Sequence, residues 1–206
     1  MEISKAFEEL SKEKERKFKQ TYELIINLKG LDLRRNNLSL VFSIPHKIKD
    51  KKVCGFLTKK SDLVDTVTKP EFTKYGNDPK LIRGLVKKYD FFIAHASLMP
   101  SVATTFGKAL GPAGKMPSPQ LGIITEENAD TINPLIDQIS KSVKIRAKEL
   151  SIKVPVGKEG MDQKQIEENL RVVYKNVLGA LPGKEDNIKN VLLKKTMSKP
   201  VEVELK

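Results

Sequence analysis

The hydrophobic pattern changes its period twice along this chain, and this change constrains the fold more than any other feature. Near both ends, at Leu38–Ile44 and Ile152–Val156, apolar residues alternate with polar ones, which is the period of a half-buried strand. Between them, short continuous apolar runs such as Val53–Leu57 and Phe91–Ala96 alternate with helical patterns. Such runs are typical of strands in a parallel sheet that is covered on both faces. The middle of the chain is therefore predicted to form a Rossmann-like α/β unit.

The two ends of the chain are predicted to fold together. Neither terminal piece has enough strands and helices to bury a sheet alone, but together they would form a two-layer α+β domain. We therefore expect a split α+β domain of residues 1–50 and 142–206, with residues 51–141 inserted as the Rossmann-like domain. Linkers at the junctions would allow the two domains to open and close.

Local signals predict the first helices and turns. A weak amphipathic pattern predicts a helix over Ser4–Lys17, and Ser61 or Asp62 is expected to cap a short helix. Turns are predicted at Asp32–Asn37 and around Lys148.

Two further helices have stronger start signals. Asp78 followed by Pro79 predicts the beginning of a long basic helix, with Leu81 on its apolar face. Asp162 with Gln165 resembles a capping box for a helix that ends near Gly179.

The charge balance indicates an anionic partner. The formal net charge is +12 and the isoelectric point is near 9.6, and nucleic acid is the commonest partner of such a protein. No apolar run is long enough to span a bilayer, and no basic helix has the aromatic face of a membrane-surface helix. The densely charged N-terminus also lacks the apolar core of a secretory signal.

Few side chains are available for catalysis or metal binding. Cys54 is the single cysteine, so it is expected to be buried and reduced in an intracellular compartment. With only His46 and His95 available, no metal site or cofactor is expected. There is no Gly-x-Ser-x-Gly elbow and no triad, so the chain is not predicted to be an enzyme.

The first candidate nucleic-acid segment runs from position 16 to position 23. Arg16 and Lys17 can neutralise phosphates, and Phe18 can pack on a base or ribose. Thr21 and Glu23 can meet a ribose hydroxyl or a base edge. The alternative interpretation is a solvated helix end with Phe18 packed into the core.

The second candidate segment is a basic strand end, Lys194–Pro200, which contains Thr196, Met197, Ser198 and Lys199. Its lysines would supply salt-dependent affinity, while small or flexible side chains allow close approach to nucleic acid. The alternative is an ordinary C-terminal strand and turn.

A glycine-rich stretch, Gly107–Pro119, invites comparison with a phosphate-binding loop. A Walker loop would need Gly at Ala109 and Ser or Thr at Met116, so the spacing fails. We expect a stiff exposed loop in which Lys108 and Lys115 are possible contacts of the inserted domain with RNA.

Several strings resemble one known family, the ribosomal protein L-one family, in the order expected and over essentially the whole chain. They are the signature loop Leu110–Pro119, the segments Arg16–Phe18 and Thr196–Met197, and Ile44–His46, Tyr89–Ala94 and Val156–Lys158.

The resemblance implies a cytoplasmic, non-enzymatic component of the large ribosomal subunit with the split and inserted domains described above. It implies that the split domain binds the stalk of large-subunit rRNA, with Lys158 as a further contact. It also implies contact with exit-site tRNA during its release, possible repression of the protein's own mRNA, and a single copy in the ribosome. The short ending and the Met-Pro loop favour the archaeal type.

Two positions depart from the family pattern. Ser198 stands where the family usually has Gly, and a side chain there could weaken contact with RNA. Ala113 replaces a common basic residue of the signature loop. Two other functions stay open: a regulatory RNA-binding protein that acts outside the ribosome, and an enzyme that uses the inserted domain on a phosphorylated ligand.

Overall fold

The chain divides into two compact units. We call them unit 1, Met1–Lys49 with Lys141–Lys206, and unit 2, Asp50–Ser140. The structure, a computed structural model, describes residues 2–14, 16–32, 38–119, 121–147 and 149–205. Both units combine helices with sheets, so the predicted fold class is confirmed. In these described ranges no helix is both long and apolar enough to span a bilayer. The turn residues predicted at 33–37 and at Lys148 lie outside them.

Unit 1 is built on a four-stranded antiparallel sheet with helices on one face. The sheet has the order β10-β9-β1-β8, and a separate antiparallel pair is formed by β2 and β7. The elements are α1 (Ile3–Ser11), β1 (Thr21–Leu28), β2 (Ser39–Ser43), β7 (Ser142–Arg146), β8 (Ser151–Lys158), α6 (Gln163–Ala180), β9 (Ile188–Lys195) and β10 (Val201–Glu202).

The core of unit 1 lies between this sheet and its helices. Leu24 and Ile26 of β1 are fully buried, and they belong to the same apolar cluster as Leu170 and Val173 of α6. Gly157 permits the close packing of β8 on α6, because a Cβ there would lie 2.6 Å from the Ile166 side chain. The glycine of the Val156–Lys158 string therefore has a packing role.

Unit 2 is built on a parallel sheet of order β4-β3-β5-β6. Its elements are β3 (Val53–Leu57), β4 (Asp65–Thr68), α2 (Phe72–Asn77), α3 (Pro79–Lys88), β5 (Phe91–His95), α4 (Met99–Ala113), β6 (Ile123–Ile124) and α5 (Ala129–Lys141). Every residue of β3 is buried, as expected of a strand covered on both faces. The predicted helix start at Asp78 is also confirmed, since its carboxylate accepts the Lys80 N–H at 2.8 Å.

Two of the predicted helices differ from the observed elements. Helix α1 ends at Ser11 rather than Lys17, because no apolar side chain follows Leu10 to continue its buried stripe. The prediction of a short helix after Ser61 is wrong, because the chain forms β4 from Asp65 and buries Val67 beside β3. The first helical turn after β4 begins at Lys69, where Thr68 and Glu71 form a capping box.

Three further local predictions are wrong. The glycine-rich loop is helical as far as Ala113, because burial of Leu110 carries α4 through one more turn before Gly114 ends it at φ +68°. Asp162 precedes α6 but its side chain makes no capping hydrogen bond. Leu81 is 38% exposed, because α3 turns Ile82 and Leu85 toward the core instead.

Candidate nucleic-acid interface

The positive charge is concentrated in unit 1. This unit holds 26 of the 38 basic residues and 16 of the 26 acidic ones, a net charge of +10, whereas unit 2 has 12 and 10, a net charge of +2. Because excess positive charge attracts polyanions and sets the salt-dependent part of their binding, unit 1 is the more suitable surface for nucleic acid.

Three sequence segments meet at one end of the unit 1 sheet. Thr21 at the start of β1 is paired with Lys158 at the end of β8, and Tyr22 is paired with Lys195 at the end of β9. We call this part of unit 1, formed by residues 16–22, 157–159 and 195–199, the convergent end. The sheet therefore brings together candidate residues from positions 16–21, 158 and 196–199.

The segment before β1 presents its side chains to solvent. Arg16, Lys17 and Lys19 are exposed, and Phe18 is 50% exposed. The interpretation in which Phe18 packs into the core is therefore wrong. An exposed aromatic ring between basic side chains is free to stack on a base.

The turn after β9 is tied to the start of β1. The Thr196 hydroxyl accepts a hydrogen bond from the Thr21 backbone N–H at 3.0 Å. Met197 is 57% exposed and Lys199 is exposed, so both side chains are accessible to a ligand. The Ser198 hydroxyl accepts the Lys195 N–H at 2.8 Å, and its backbone does not adopt a positive φ. Serine is thus accommodated at this position without strain and stabilises the turn.

Glu23 lies on the opposite face of the sheet from the helices. We call this face the open face. Its residues alternate along each strand with the buried ones; they are Glu23, Ile25 and Asn27 of β1, Lys153 and Pro155 of β8, and Asn190, Leu192 and Lys194 of β9. Sequence reasoning missed Lys153, although its place between buried Ile152 and Val154 marks it as solvent-facing.

A partly buried polar network within the convergent end was also missed. Glu159 accepts the Gln20 backbone N–H at 2.9 Å and pairs with the Lys195 ammonium at 2.9 Å. The hydrogen bond from Gln20, and then that from Lys195, lowers the pKa of the Glu159 carboxyl. Burial acts to lower the pKa of Lys195, but the hydrogen bond to Glu159 and the neighbouring Tyr22 outweigh burial and raise it. Both groups of the pair are therefore charged at neutral pH.

The two candidate contacts in unit 2 differ in their surroundings. Lys108 is exposed on α4. The Lys115 ammonium donates to the backbone carbonyls of Val86 and Tyr89, at 2.8 and 2.7 Å. Lys115 thus satisfies carbonyls at the end of α3, where a cation is favoured, and fewer of its N–H groups remain for a ligand.

The crevice where a parallel α/β sheet usually binds a phosphorylated ligand is occupied by a carboxylate of the chain. That crevice lies at the carboxyl ends of β3 and β5, where the strand order reverses. Glu127 accepts the Thr58 N–H at 2.6 Å, the Thr58 hydroxyl at 2.7 Å and the Lys59 N–H at 3.3 Å. The backbone N–H groups of Thr58 and Lys59 are thus already bonded to a carboxylate and are not free to hold a phosphate, which argues against the phosphate-ligand enzyme.

The remaining chemistry-bearing residues have structural roles. Cys54 is buried, and burial with a smaller effect of the Asp65 carboxylate raises its pKa to about 12, so its thiol is unreactive. His95 bonds the Thr125 carbonyl and the Ser97 hydroxyl. Throughout the part of the chain that the structure describes, no three His, Cys, Asp or Glu residues form a group able to hold a metal.

A strongly basic α+β unit with exposed cationic and aromatic side chains at one sheet end, joined to a nearly neutral α/β unit, is typical of a nucleic-acid-binding protein. The family model described as "Ribosomal protein L1p/L10e family" matches residues 10–199. The chain therefore belongs to this family.

Curated relatives named "Large ribosomal subunit protein uL1" are similar along almost their whole length. The protein from Pyrococcus horikoshii is 34% identical, over 93% of this chain and 90% of its own. Those from Pyrobaculum aerophilum and Thermoplasma volcanium are each 35% identical, over 97% and 98% of this chain and 91% and 95% of their own. The predicted archaeal-type family and the prediction that the chain is not an enzyme are thereby confirmed.

Proposed function

We propose that unit 1 binds the stalk of large-subunit rRNA through the convergent end and the adjoining part of the open face. Family membership makes the chain a structural component of the large ribosomal subunit, in the cytoplasm. One observation carries the finer proposal: three separate segments, all with exposed polar or cationic residues, meet at one sheet end of the unit whose net charge is +10.

Each proposed contact has a distinct chemical task. The cations bind phosphate oxygens and release counterions, which orients the protein without reading sequence. They are Arg16, Lys17, Lys158 and Lys199, all exposed. Phe18 stacks on an unpaired base and Met197 packs against a ribose or base. The hydroxyls and carboxylate of Thr21, Thr196 and Glu23 bond ribose 2′-hydroxyls or base edges. The Ser198 hydroxyl is bonded within the turn, so the contact with RNA lost by replacing the family's Gly should be small.

The other partners belong to the same proposal. A structure in the protein's own mRNA that presents the same unpaired bases would bind the same surface, which would repress translation. In unit 2, Lys108 is the stronger candidate for contact with exit-site tRNA, because the Lys115 ammonium is already bound to two carbonyls. The alternative function, a regulatory RNA-binding protein that acts outside the ribosome, was supported only by the presence of Ser198. Because the Ser198 hydroxyl stabilises the turn, this residue no longer favours that alternative.

Filter binding to a stalk fragment of large-subunit rRNA, beside a scrambled hairpin, tests the proposal. We expect the wild-type protein to prefer the stalk fragment by about a thousandfold or more at moderate salt. The logarithm of affinity should fall with log salt by about 0.7 to 0.9 for each phosphate contacted. Equal binding to both RNAs would mean that unit 1 recognises only charge.

Two single variants test the site assignment. Phe18→Ala removes the exposed ring, and Thr21→Val removes one hydroxyl while its shape and its backbone N–H remain. We expect Phe18→Ala to weaken stalk binding about tenfold or more, because base stacking contributes about 1–3 kcal/mol. Thr21→Val should weaken it less. If both variants bind the stalk fragment as tightly as the wild type, the assigned site is wrong.

A further inference from the structure

Gln20 links two segments of the convergent end from below. Its residue is only 2% exposed, and its side-chain carbonyl accepts the Met197 backbone N–H at 3.1 Å. Its own backbone N–H donates to Glu159 at 2.9 Å, and its backbone carbonyl accepts the Glu159 N–H at 2.8 Å. Thus the chain just before β1, the turn after β9 and the loop after β8 are all held through one buried residue.

Glu159 anchors this link to the sheet. One carboxylate oxygen accepts from Gln20, and the other binds the Lys195 ammonium at 2.9 Å. The Lys195 side chain is 8% exposed and its ammonium lies 5.6 Å from the centre of the Tyr22 ring. Because this ammonium is largely buried and paired with Glu159, it is less available to a phosphate than the exposed lysines of the convergent end.

We propose that Glu159 is a positioning residue for RNA: with Lys195 and Gln20, it holds Phe18, Thr21 and Met197 in the one arrangement that the RNA recognises. The inference rests on the proposed function of the convergent end. Glu159 is itself acidic and therefore does not bind phosphate, so its effect on RNA passes through the segments that it orders.

Whether one substitution strengthens or weakens RNA binding distinguishes a positioning role from a simple effect of charge. Glu159→Gln removes a negative charge beside the RNA surface, so long-range electrostatics alone would strengthen binding. The same substitution leaves a single oxygen to serve both the Lys195 ammonium and the Gln20 N–H, and it places an NH₂ group against one of these donors. Positioning therefore predicts weaker binding.

The matched control is Glu167→Gln. Glu167 also pairs with a cation, since it accepts from Arg171 at 2.8 Å. The Arg171 side chain is 58% exposed, and the pair lies on α6, on the other side of the sheet from the open face. Both variants change the net charge by one unit. We expect Glu167→Gln to bind the stalk fragment as the wild type does or slightly more tightly.

For Glu159→Gln we expect stalk binding to weaken about tenfold or more, the size of effect seen when a group that orients binding residues is removed at metal sites. The dependence on salt should stay within one phosphate contact of the wild-type value, because Glu159 binds no phosphate. Equal or tighter binding by Glu159→Gln, matching Glu167→Gln, would overturn the proposal.

In Glu159→Gln the Lys195 ammonium loses its carboxylate partner, which could prevent folding. The double variant Glu159→Gln, Lys195→Gln removes this ammonium as well. It restores the net charge and leaves two amides that can bond each other, so a folded protein is expected. If this variant folds but still discriminates poorly between stalk and scrambled RNA, positioning is supported. Wild-type discrimination would overturn the proposal, because the RNA-binding segments would then be held in place without the Glu159–Lys195 ion pair.

Amide hydrogen exchange without RNA distinguishes this inference from the proposed function. In Glu159→Gln the amides of Gln20 and Met197 should exchange faster, while amides in the centre of β1 stay protected. Unchanged exchange at both amides would overturn the positioning role even if wild-type RNA binding is specific. If the wild type fails to discriminate between the RNAs but these two amides exchange faster, the proposed RNA is wrong and the ordering role stands.

Discussion

Units 1 and 2 solve the problem of burying a sheet in different ways. Unit 1 has an antiparallel sheet that packs its helices on one face and leaves the other solvated, with a net charge of +10. Unit 2 has a parallel sheet whose central strands are buried, with a net charge of +2. A solvated face can carry side chains chosen for a ligand, whereas a strand covered on both faces is committed to packing.

The two cores differ as well. The buried residues of unit 1 are largely aliphatic, whereas unit 2 has a cluster of aromatic rings around Phe106. Its ring centre lies 4.8 Å from that of Phe56 and 5.2 Å from that of Phe72. Among the described residues, Phe18 is the most exposed aromatic side chain, and it lies in unit 1 outside the core. Ring burial therefore stabilises unit 2, and ring exposure in unit 1 serves the proposed contact with RNA.

Phe106→Ala tests this contrast most strongly. Phe106 is fully buried, so its loss should lower the free energy of unfolding of unit 2 by about 3–5 kcal/mol. Urea unfolding, with hydrogen exchange at β3 and β5, measures the loss. Phe18→Ala, the control, should change stability by no more than about 0.5 kcal/mol. The contrast fails if Phe18→Ala is the more destabilising of the two.

The lysines of unit 2 provide a second test. Lys115→Ala leaves the carbonyls of Val86 and Tyr89 without their charged donor and should cost about 1–2 kcal/mol of stability. Lys108→Ala should leave stability unchanged, and should lower the salt dependence of tRNA binding by about one contact if Lys108 touches a phosphate. Thermal unfolding and salt titrations measure the two effects. If Lys115→Ala and Lys108→Ala unfold at the same temperature, Lys115 does not stabilise the end of α3.

Acid should affect unit 2 through Glu127. Burial acts to raise the pKa of Glu127, but hydrogen bonds from Thr58 and Lys59 outweigh burial and hold that pKa below its ordinary value of 4.5. Its contribution to stability is therefore present above about pH 4.5 and is lost as the pH falls through the folded-state pKa. Glu127→Gln should flatten this acid limb in melting curves recorded as a function of pH. Glu126→Gln, an exposed neighbour, should keep the wild-type curve.

Much of the architecture could be predicted because it depends on local pattern. The alternation at Ile152–Val156 and the continuous run at Phe91–Ala96 identified the two kinds of strand. The two basic segments marked Phe18 and Met197 as candidate contacts, and the structure then showed that both are exposed. The errors occurred where distant packing overrode a local signal. Pro and Gly suggested a loop before Ala113, yet burial of Leu110 kept α4 helical.

Periodicity, charge and motif order are properties of neighbours in the chain, so they sufficed for the two kinds of sheet, the anionic partner and the family. The network within the convergent end depends on contacts between residues that are far apart in the chain. Glu159 meets Gln20 across 139 positions, and Thr196 meets Thr21 across 175. No local pattern marks Glu159 or Gln20 as partners, because their role arises only when β1, β8 and β9 pair in one register and bury the Lys195 ammonium among them.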